Sequence, residues 1–254
     1  MGRLDGRIAM VTGAASGFGA GIARALAHQG AAVLVTDLDG GGANAIADEL
    51  RARGLSAEAE AVDITDRASL EQAVVRAEDD FGGLDTLIAN AGIGQRPSGI
   101  LETEPDTLRR QFEVNALGAF LTVQAALPAL RRRDPASILL TVSGIALVPR
   151  PQLYGYGMAK AAAMYLMKAM ASELAPERIR VNGLFPAVGD TPMLAEFVGG
   201  ALTDAAAGAF ASALPLGRLI TPEDVGQAAV FLSSPSEAGA LTGCALPVDA
   251  GRCL

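Results

Sequence analysis

The stretch RIAMVTGAASGFGAGIARAL, residues 7–26, indicates how the fold begins. Its first six residues form a short apolar run that predicts a β-strand. Apolar residues then recur on one helical face and predict a helix over 17–29, with Gly30 placed to end it. A strand that passes through a glycine-rich turn directly into a helix is the first unit of a β-α-β fold.

The same alternation continues to the end of the chain. Further apolar runs predict strands at 31–37, 59–63, 84–90, 136–142, 179–185 and 244–249. Amphipathic patterns predict helices at 43–53, 67–80, 105–132, 154–174 and 222–233. Because the strands are almost continuously apolar and are separated by helices, we expect an α/β fold, a doubly wound parallel sheet with helices on both faces.

No linker or change of composition divides the chain, so residues 1–254 are predicted to form a single domain. The segment 189–217 is too long for an ordinary connection between a strand and a helix. It is therefore predicted to be a lid over the substrate.

Composition excludes several classes of function. Half of the 254 residues are apolar, 19% are charged and the net charge is -8, which argues against nucleic acid as a partner. The uncharged stretch 115–130 is too short for a membrane span. The two cysteines, Cys244 and Cys253, fit no disulfide or metal framework, and His28 is the single histidine. We expect a cytoplasmic protein with no metal site and no membrane contact.

Glycines dominate the turn after the first strand. Gly13, Gly17 and Gly19 would let the backbone turn sharply and let a diphosphate approach the N–H groups of the following helix. Their spacing is not that of the usual dinucleotide fingerprint, and such a turn can be purely structural. Asp37, which ends the second predicted strand, adds a carboxylate that can accept hydrogen bonds from both ribose hydroxyls and would repel a 2′-phosphate. The combination predicts NAD(H) rather than NADP(H).

A tyrosine and a lysine share one face of the helix predicted at 154–174. Tyr156 and Lys160 are about 40° apart around the axis, whereas Tyr154 is about 240° from the lysine. Tyr165 lies on the opposite face and roughly 13 Å further along. Tyr156 is therefore the candidate for proton transfer.

A phenol has a pKa near 10, too high for proton exchange at neutral pH, and a nearby ammonium would lower it. We therefore expect Lys160 to lower the pKa of Tyr156. Ser143 directly follows the strand predicted at 136–142, where its hydroxyl can reach the same pocket. A hydroxyl beside a phenol suits a carbonyl oxygen that becomes an alkoxide as hydride arrives.

With these residues in place, the chain resembles the short-chain dehydrogenase/reductase family over essentially its whole length. The matching motifs are TGAASGFG (12–19), VDITD (62–66), NAG (90–92), Asn115 in FEVNALG, the spacing of Ser143, Tyr156 and Lys160, and VDAG (248–251). These motifs are highly specific for the family and only weakly specific for substrate. The resemblance implies a Rossmann-type fold.

The resemblance also implies roles for the site residues. Tyr156 would be the general acid/base and Ser143 would orient the substrate oxygen. Lys160 would lower the tyrosine pKa and hold the nicotinamide ribose, and Asn115 would support a water that passes the proton onward. Residues expected to bind NAD are Gly13, Ser16, Gly17, Phe18, Gly19, Asp37, Leu38, Asp63, Ile64, Asn90, Ala91, Gly92, Tyr156, Lys160, Pro186 and Thr191. The family further suggests a homotetramer with helices 105–132 and 154–174 between subunits.

One segment departs from the family pattern. PAVGDT, residues 186–191, has Ala187 where the family has glycine and Gly189 where it has a branched residue. If this position needs a positive φ, Ala187 would be strained. Either the loop follows a shifted path or the nicotinamide is held less tightly.

Together these features predict an oxidoreductase that moves hydride between NAD(H) and a secondary alcohol or ketone. The segments 93–99, 144–154 and 189–217 are mostly apolar, which indicates a hydrophobic or alicyclic substrate unless Arg96 or Arg150 points inward. Two alternatives remain from the residues alone. One is a regulatory protein that binds NAD(H) without turnover, and the other is an enzyme that uses bound NAD for epimerisation or dehydration.

Overall fold

A computed structural model describes residues 2–199 and 203–254 of the chain. These residues contain a parallel seven-stranded sheet of order β3-β2-β1-β4-β5-β6-β7. The strands are β1 (Ile8–Thr12), β2 (Ala32–Asp37), β3 (Ala57–Ala61), β4 (Thr86–Ala89), β5 (Ala136–Thr141), β6 (Ile179–Pro186) and β7 (Ala245–Val248). Strand order reverses between β1 and β4, so the loops that follow these two strands diverge and leave a cleft at the carboxyl edge of the sheet.

Helices connect the strands. They are α1 (Gly17–His28), α2 (Gly40–Ala52), α3 (Arg67–Phe81), α4 (Pro105–Phe112), α5 (Ala119–Leu130), α6 (Tyr154–Leu174), α7 (Leu194–Val198), α8 (Asp204–Ser212), α9 (Pro222–Ser233) and α10 (Pro235–Ala238). A π-helical turn, Glu113–Gly118, joins α4 to α5. The predicted lid 189–217 thus contains α7 and α8, and its residues 200–202 lie outside the described residues.

Each face of the sheet has its own hydrophobic core. One core packs side chains of α3, α5 and α6 against the sheet, for example Leu70, Val123 and Met167. The other packs α1, α2 and α9, for example Leu26, Leu50 and Val225. The predicted fold class, a doubly wound parallel sheet with helices on both faces, is confirmed.

Several predicted element boundaries were wrong, including the start of β4, which is Thr86 rather than residue 84, and those of β3 and α2. β3 pairs with β2 over Ala57–Ala61, two residues earlier than the predicted strand 59–63. The chain then leaves the sheet, and Asp63 accepts a hydrogen bond from the N–H of Thr65 (2.8 Å). α2 begins three residues before the predicted position because the carboxylate of Asp39 caps it.

The helical stretch Pro105–Leu130 passes a length and composition test for a membrane span, with a mean hydropathy of 1.2 in its most apolar window. Within the part of the chain that the structure describes, 61% of that window is buried inside the fold. A helix that packs in the core of a globular protein passes the same test.

A buried ion pair fastens the amino edge of the sheet, opposite the cleft. Arg7 Nε lies 3.0 Å from the carboxylate of Asp85, whose side chain is 2% exposed. Asp85 also accepts a hydrogen bond from the N–H of Ile8 (3.0 Å), and Arg7 donates to the carbonyl of Pro135 (2.7 Å). Burial raises the pKa of Asp85 and lowers the pKa of Arg7, although each group attracts the other. Desolvation therefore outweighs the mutual attraction of the pair.

Arg7→Met should lower the free energy of unfolding by about 3 kcal/mol, because it leaves the buried Asp85 carboxylate with only the more distant guanidinium of Arg133, 3.7 Å away. Chemical denaturation at pH 7 measures this change. Arg3→Met is the matched control, since the ion pair of Arg3 with Glu237 is partly exposed and should contribute no more than about 1 kcal/mol. Equal losses in the two variants would contradict the assignment.

Candidate active site

The cleft at the carboxyl edge has a volume of about 480 Å³. It is lined by nearly all of the residues that the sequence singled out, namely Gly13, Ser16, Gly17, Phe18, Gly19, Asp37, Leu38, Asp63, Ile64, Asn90, Ala91, Gly92, Ser143, Tyr156, Lys160, Pro186 and Thr191. Asn115 is the predicted site residue that does not line it.

The glycine turn after β1 presents a helix end to the cleft. Ser16 occupies the N-cap position of α1 but makes no capping hydrogen bond with its side chain. The N–H groups of the first turn of α1 are therefore free to bind an anion. Gly13 has a φ of +65°, and a Cβ on it would lie 2.6 Å from the Cα of Ala91, so only glycine fits there.

The loop after β4 is fastened to this turn. The hydroxyl of Thr12 accepts hydrogen bonds from the N–H groups of Asn90 and Ala91, both at 3.1 Å. The carboxamide of Asn90 donates to the carbonyls of Thr12 (2.9 Å) and Gly13 (3.1 Å). Asn90 and Ala91 thus form the wall that faces α1 across the cleft.

Two carboxylates mark the other end of the cleft. Asp37, at the end of β2, accepts hydrogen bonds from the N–H groups of Ala15 (2.9 Å) and Asp39 (3.0 Å). Leu38 beside it is 72% exposed. The pKa of Asp63 is lowered, chiefly by the hydrogen bond from the hydroxyl of Thr65 (2.7 Å). Hydrogen bonds from the protein therefore fix both carboxylates at the end of the cleft that could bind a nucleoside.

The segment 186–191 follows a path that removes the expected strain. Ala187 is not among the residues with positive φ, and its N–H donates to the carbonyl of Val248 (3.2 Å). Gly189 is required instead, because a Cβ there would lie 2.2 Å from the ring of Phe18. The side chain of Thr191 lies against Gly17. Ala187 therefore carries no such strain, and how 187–190 would hold the nicotinamide stays a prediction.

Helix α6 brings Tyr156 and Lys160 into the cleft, where they are 7% and 5% exposed. Tyr154 is 38% exposed and Tyr165 is 73% exposed, and neither lines the cleft. The ammonium of Lys160 donates to the carbonyl of Thr141 (2.9 Å) and lies 5.8 Å from the centre of the Tyr156 ring.

The net shift of the Tyr156 pKa is upward, whereas Lys160 was expected to lower it, and Lys160 is not among the groups that shift it. Burial raises the pKa of Tyr156 to about 12, the neighbouring hydroxyl of Ser143 opposes this rise, and the charge of Glu196 adds to it. Burial lowers the pKa of Lys160 to about 8. At neutral pH the site therefore holds a protonated phenol.

Asn115 lies in the π-helical turn, behind the cleft wall. Its carboxamide donates to the side chain of Gln111 (2.7 Å) and to the carbonyl of Ile93 (3.0 Å), and it accepts from the N–H of Ile93 (3.1 Å). Its side chain therefore supports the loop after β4 and has no direct contact with the cleft.

Two contacts of Tyr156 carry no signal in the sequence, although both partners lie in segments predicted to line the pocket, 93–99 and 189–217. Gln95, which is 3% exposed, accepts a hydrogen bond from the N–H of Tyr156 (2.8 Å) and so fixes the start of α6. The ring of Phe197 in α7 meets the ring of Tyr156 edge to face, with centroids 5.1 Å apart. These contacts join segments that are distant in the chain, so no local sequence pattern predicts them.

The two arginines named as exceptions to an apolar pocket differ in position. Arg150 lines the cleft, as does Arg252 near the C-terminus, whereas Arg96 lies in a neighbouring groove. Among residues 2–199 and 203–254, no group of three or more His, Cys, Asp or Glu side chains could hold a metal ion.

The chain is similar to known proteins over nearly its whole length. The family model described as Enoyl-(Acyl carrier protein) reductase matches residues 13–252. 4-Formylbenzenesulfonate dehydrogenase TsaC1/TsaC2 of Comamonas testosteroni is 40% identical over 249 residues, which are 98% of each chain. Cis-4-hydroxycyclohexanecarboxylate dehydrogenase of Sinomonas cyclohexanicum is 37% identical over 245 residues, which are 96% of each chain.

A solved structure is equally similar. The crystal structure of 3-ketoacyl-(acyl-carrier-protein) reductase from Brucella melitensis complexed with NADH has a TM-score of 0.90 and 39% identity. The alignment covers 99% of this chain and 100% of that one. The similarity therefore includes the whole sheet and the cleft.

Asp37→Ser should raise the Kd for NADH about tenfold or more and should lower the ratio of the NADPH Kd to the NADH Kd, because a charged acceptor of ribose hydrogen bonds is lost. Fluorescence titration of both coenzymes measures this. Asp39→Asn is the control, since asparagine keeps the cap of α2. A variant in which both coenzymes weaken equally would show that Asp37 only supports the turn.

Proposed function

Because this chain belongs to the short-chain dehydrogenase/reductase family, we propose that it moves hydride between NAD(H) and a ring-bearing secondary alcohol or ketone, with Tyr156 as general acid/base. The chain is an NAD-dependent oxidoreductase of CH–OH groups. This replaces the alternative of a sensor without turnover. The finer statements, namely the acid/base and the substrate class, are our proposal.

The cleft fits the coenzyme at several independent points. The uncapped start of α1 suits a diphosphate, Asp37 suits the adenosine ribose, and Lys160 is placed for the nicotinamide ribose. NAD would supply the hydride acceptor, and NADH the hydride donor. The protein's own contribution is to bind, to orient the substrate and to handle the proton.

One observation supports the acid/base proposal above the others. Tyr156 is a buried phenol that lines the same cleft as the uncapped helix end, with the hydroxyl of Ser143 near enough to oppose its pKa rise. Burial makes this phenol a weaker acid, but it remains far more acidic than an alcohol, so it can donate its proton to the alkoxide oxygen that forms as hydride reaches a ketone. In alcohol oxidation the phenolate would accept the hydroxyl proton.

Ser143 and Lys160 would assist in different ways. The hydroxyl of Ser143 would hold the reacting oxygen next to the phenol. Lys160 is held by the carbonyl of Thr141, and its charge favours deprotonation of groups bound beside it. Asn115 would act as a positioning residue through the loop after β4.

The substrate class rests on the wall opposite the coenzyme. Ile145, Val148, Met193 and Phe197 line it, which suits a hydrocarbon ring. Both relatives are named for compounds with a six-membered ring, aromatic in one and alicyclic in the other. We therefore favour an alicyclic alcohol, although Arg150, which the sequence named as an exception to an apolar pocket, also lines the cleft.

We further propose that 189–217 covers the substrate, since Phe197 of α7 already packs on Tyr156. Such a cover would exclude water from the reacting groups.

A homotetramer in the cytoplasm remains a prediction. Apolar side chains near the predicted subunit contacts are partly exposed, including Phe112 (45%), Phe120 (36%) and Met158 (45%). Sedimentation velocity of the purified chain measures its assembly.

Tyr156→Phe should reduce kcat for a cyclic alcohol by at least about a hundredfold, because the proton acceptor is removed while the ring packing is retained. NADH binding, measured by fluorescence, should be nearly unchanged. Tyr154→Phe on the same helix is the matched control and should retain activity. Full turnover by Tyr156→Phe would rule out the proposed mechanism.

The raised pKa of Tyr156 sets the expected pH dependence. Since a phenol with a raised pKa stays protonated at neutral pH, kcat/KM for alcohol oxidation should rise from pH 7 toward alkaline pH, and ketone reduction should not. Initial rates at constant ionic strength measure both profiles. NADH binding at each pH separates coenzyme binding from chemistry. Oxidation rates that do not change between pH 7 and 10 would speak against a phenol as the base.

A further inference from the structure

The apolar wall of the cleft contains two cations that the hydride reaction does not use. Arg150 is partly buried, and Arg252 comes from the C-terminal segment. That segment packs beside the catalytic serine, because the thiol of Cys253 lies 3.7 Å from the carbonyl of Gly144. Arg150 and Arg252 both line the cleft, and Arg252 belongs to the segment next to Gly144 and Ser143.

Among the side chains that the structure describes, neither cation has an acidic partner. Within the described residues, no carboxylate lies within ion-pair distance of Arg150 or Arg252, and neither guanidinium donates a hydrogen bond. Arg110, which lines the coenzyme end of the same cleft, shows the contrast, since it pairs with Glu113 at 3.2 Å. The two cations are also close enough that the charge of Arg252 lowers the pKa of Arg150, in addition to the larger effect of burial.

Two acids lie near this part of the cleft. The carboxylate of Asp249 accepts hydrogen bonds from the N–H groups of Gly251 and Cys253, both at 2.9 Å. Glu196 lines the cleft, and its charge acts on Tyr156. The guanidinium of Arg150 lies over the ring of Phe210, 5.6 Å from its centre, which orients the group without cancelling its charge.

Two like charges beside an apolar wall are unfavourable unless an anion joins them. Guanidinium groups bind carboxylates through paired hydrogen bonds with defined geometry. The diphosphate of the coenzyme has a separate site at the start of α1, so these arginines are left for the other ligand.

We propose that the substrate carries a carboxylate in addition to its alcohol or ketone, and that Arg150 and Arg252 bind this carboxylate. This inference rests on the proposed function, because it assigns the reacting oxygen to Tyr156. With these two arginines, the otherwise apolar pocket would select a ring compound that carries both a reactive oxygen and an acid group.

Calorimetry with the protein saturated with NADH tests binding without turnover. The probes are cyclohexanecarboxylate and cyclohexanemethanol, which share the ring and differ in charge. We expect the wild type to bind the carboxylate about tenfold or more tightly than the alcohol, with a preference that weakens at high salt. Arg150→Gln should remove most of this preference, and Arg252→Gln a smaller part because Arg252 is more exposed.

Control variants distinguish the loss of a positive charge from misfolding and from weaker coenzyme binding. Arg150→Lys keeps a positive charge and should retain part of the preference. Arg96→Gln changes an arginine of the neighbouring groove and should leave the preference unchanged. Circular dichroism establishes that each variant is folded, and NADH titration shows whether either arginine serves the coenzyme.

The outcomes distinguish this inference from the proposed function. Wild-type protein that binds both probes equally, or Arg150→Gln protein that keeps the full preference, would overturn the inference. Weakened NADH binding in Arg150→Gln would also overturn it, by assigning the arginine to the coenzyme. If the wild type oxidises neutral cyclohexanols without any preference for acids, the proposed function stands and only the inference fails. No oxidation of neutral or acidic ring alcohols would instead count against the proposed function.

Discussion

The active edge of the sheet depends on how closely the turn after β1 approaches the loop after β4. Gly13 and Ala91 are almost in contact, and the side chains of Thr12 and Asn90 join the two segments through four hydrogen bonds. The next residue of that loop, Gly92, is flanked by the carboxamide of Asn115 and the ammonium of Lys160. A single continuous set of contacts therefore connects the coenzyme turn to the groups that handle the proton. Larger side chains at Gly13 would separate these two halves of the site.

Sequence patterns predicted most of this architecture because the interior strands and the long helices have strong, local signals. α6 begins and ends where its periodicity places it, and β1, β2 and β5 follow their apolar runs within one residue. β3 was misplaced because it is an edge strand of sequence AEAEA, whose alternation says little about where pairing with β2 stops. The π-helical turn was missed because no local pattern separates it from the helices on either side, and the contacts of its Asn115 with Ile93 involve a loop distant in sequence.

In the candidate site too, features with a local signal were predicted and features that depend on distant contacts were not. Helical spacing alone selected Tyr156 over Tyr154 and Tyr165 for the cleft, since periodicity determines which face is buried. Spacing could not predict the protonation state. The effect of Lys160 depends on distance, and the effect of burial depends on everything packed around the phenol, including Phe197 from a segment 41 residues away. Desolvation is the larger effect here, so the protein alone favours the phenol over the phenolate.

Charge in the cleft is local and differs from that of the whole molecule. The chain has a net charge of -8, which by itself would disfavour an anionic ligand. Charges on the outer surface are screened over about 8 Å at physiological ionic strength, whereas a group inside a partly buried cleft is screened much less. Arg150 and Arg252 are therefore the cations that an anionic ligand meets in the substrate part of the cleft, which Glu196 also lines, and Asp37 and Asp63 are the acids at the nucleoside end. The charge of Glu196 acts on Tyr156, so the charges differ along the cleft, with an acid acting on the reacting group and two cations elsewhere in the lining. This polarity would orient a substrate that has an acid group at one end and a reactive oxygen at the other, because only one of its two orientations places the acid beside the arginines and the oxygen beside Tyr156.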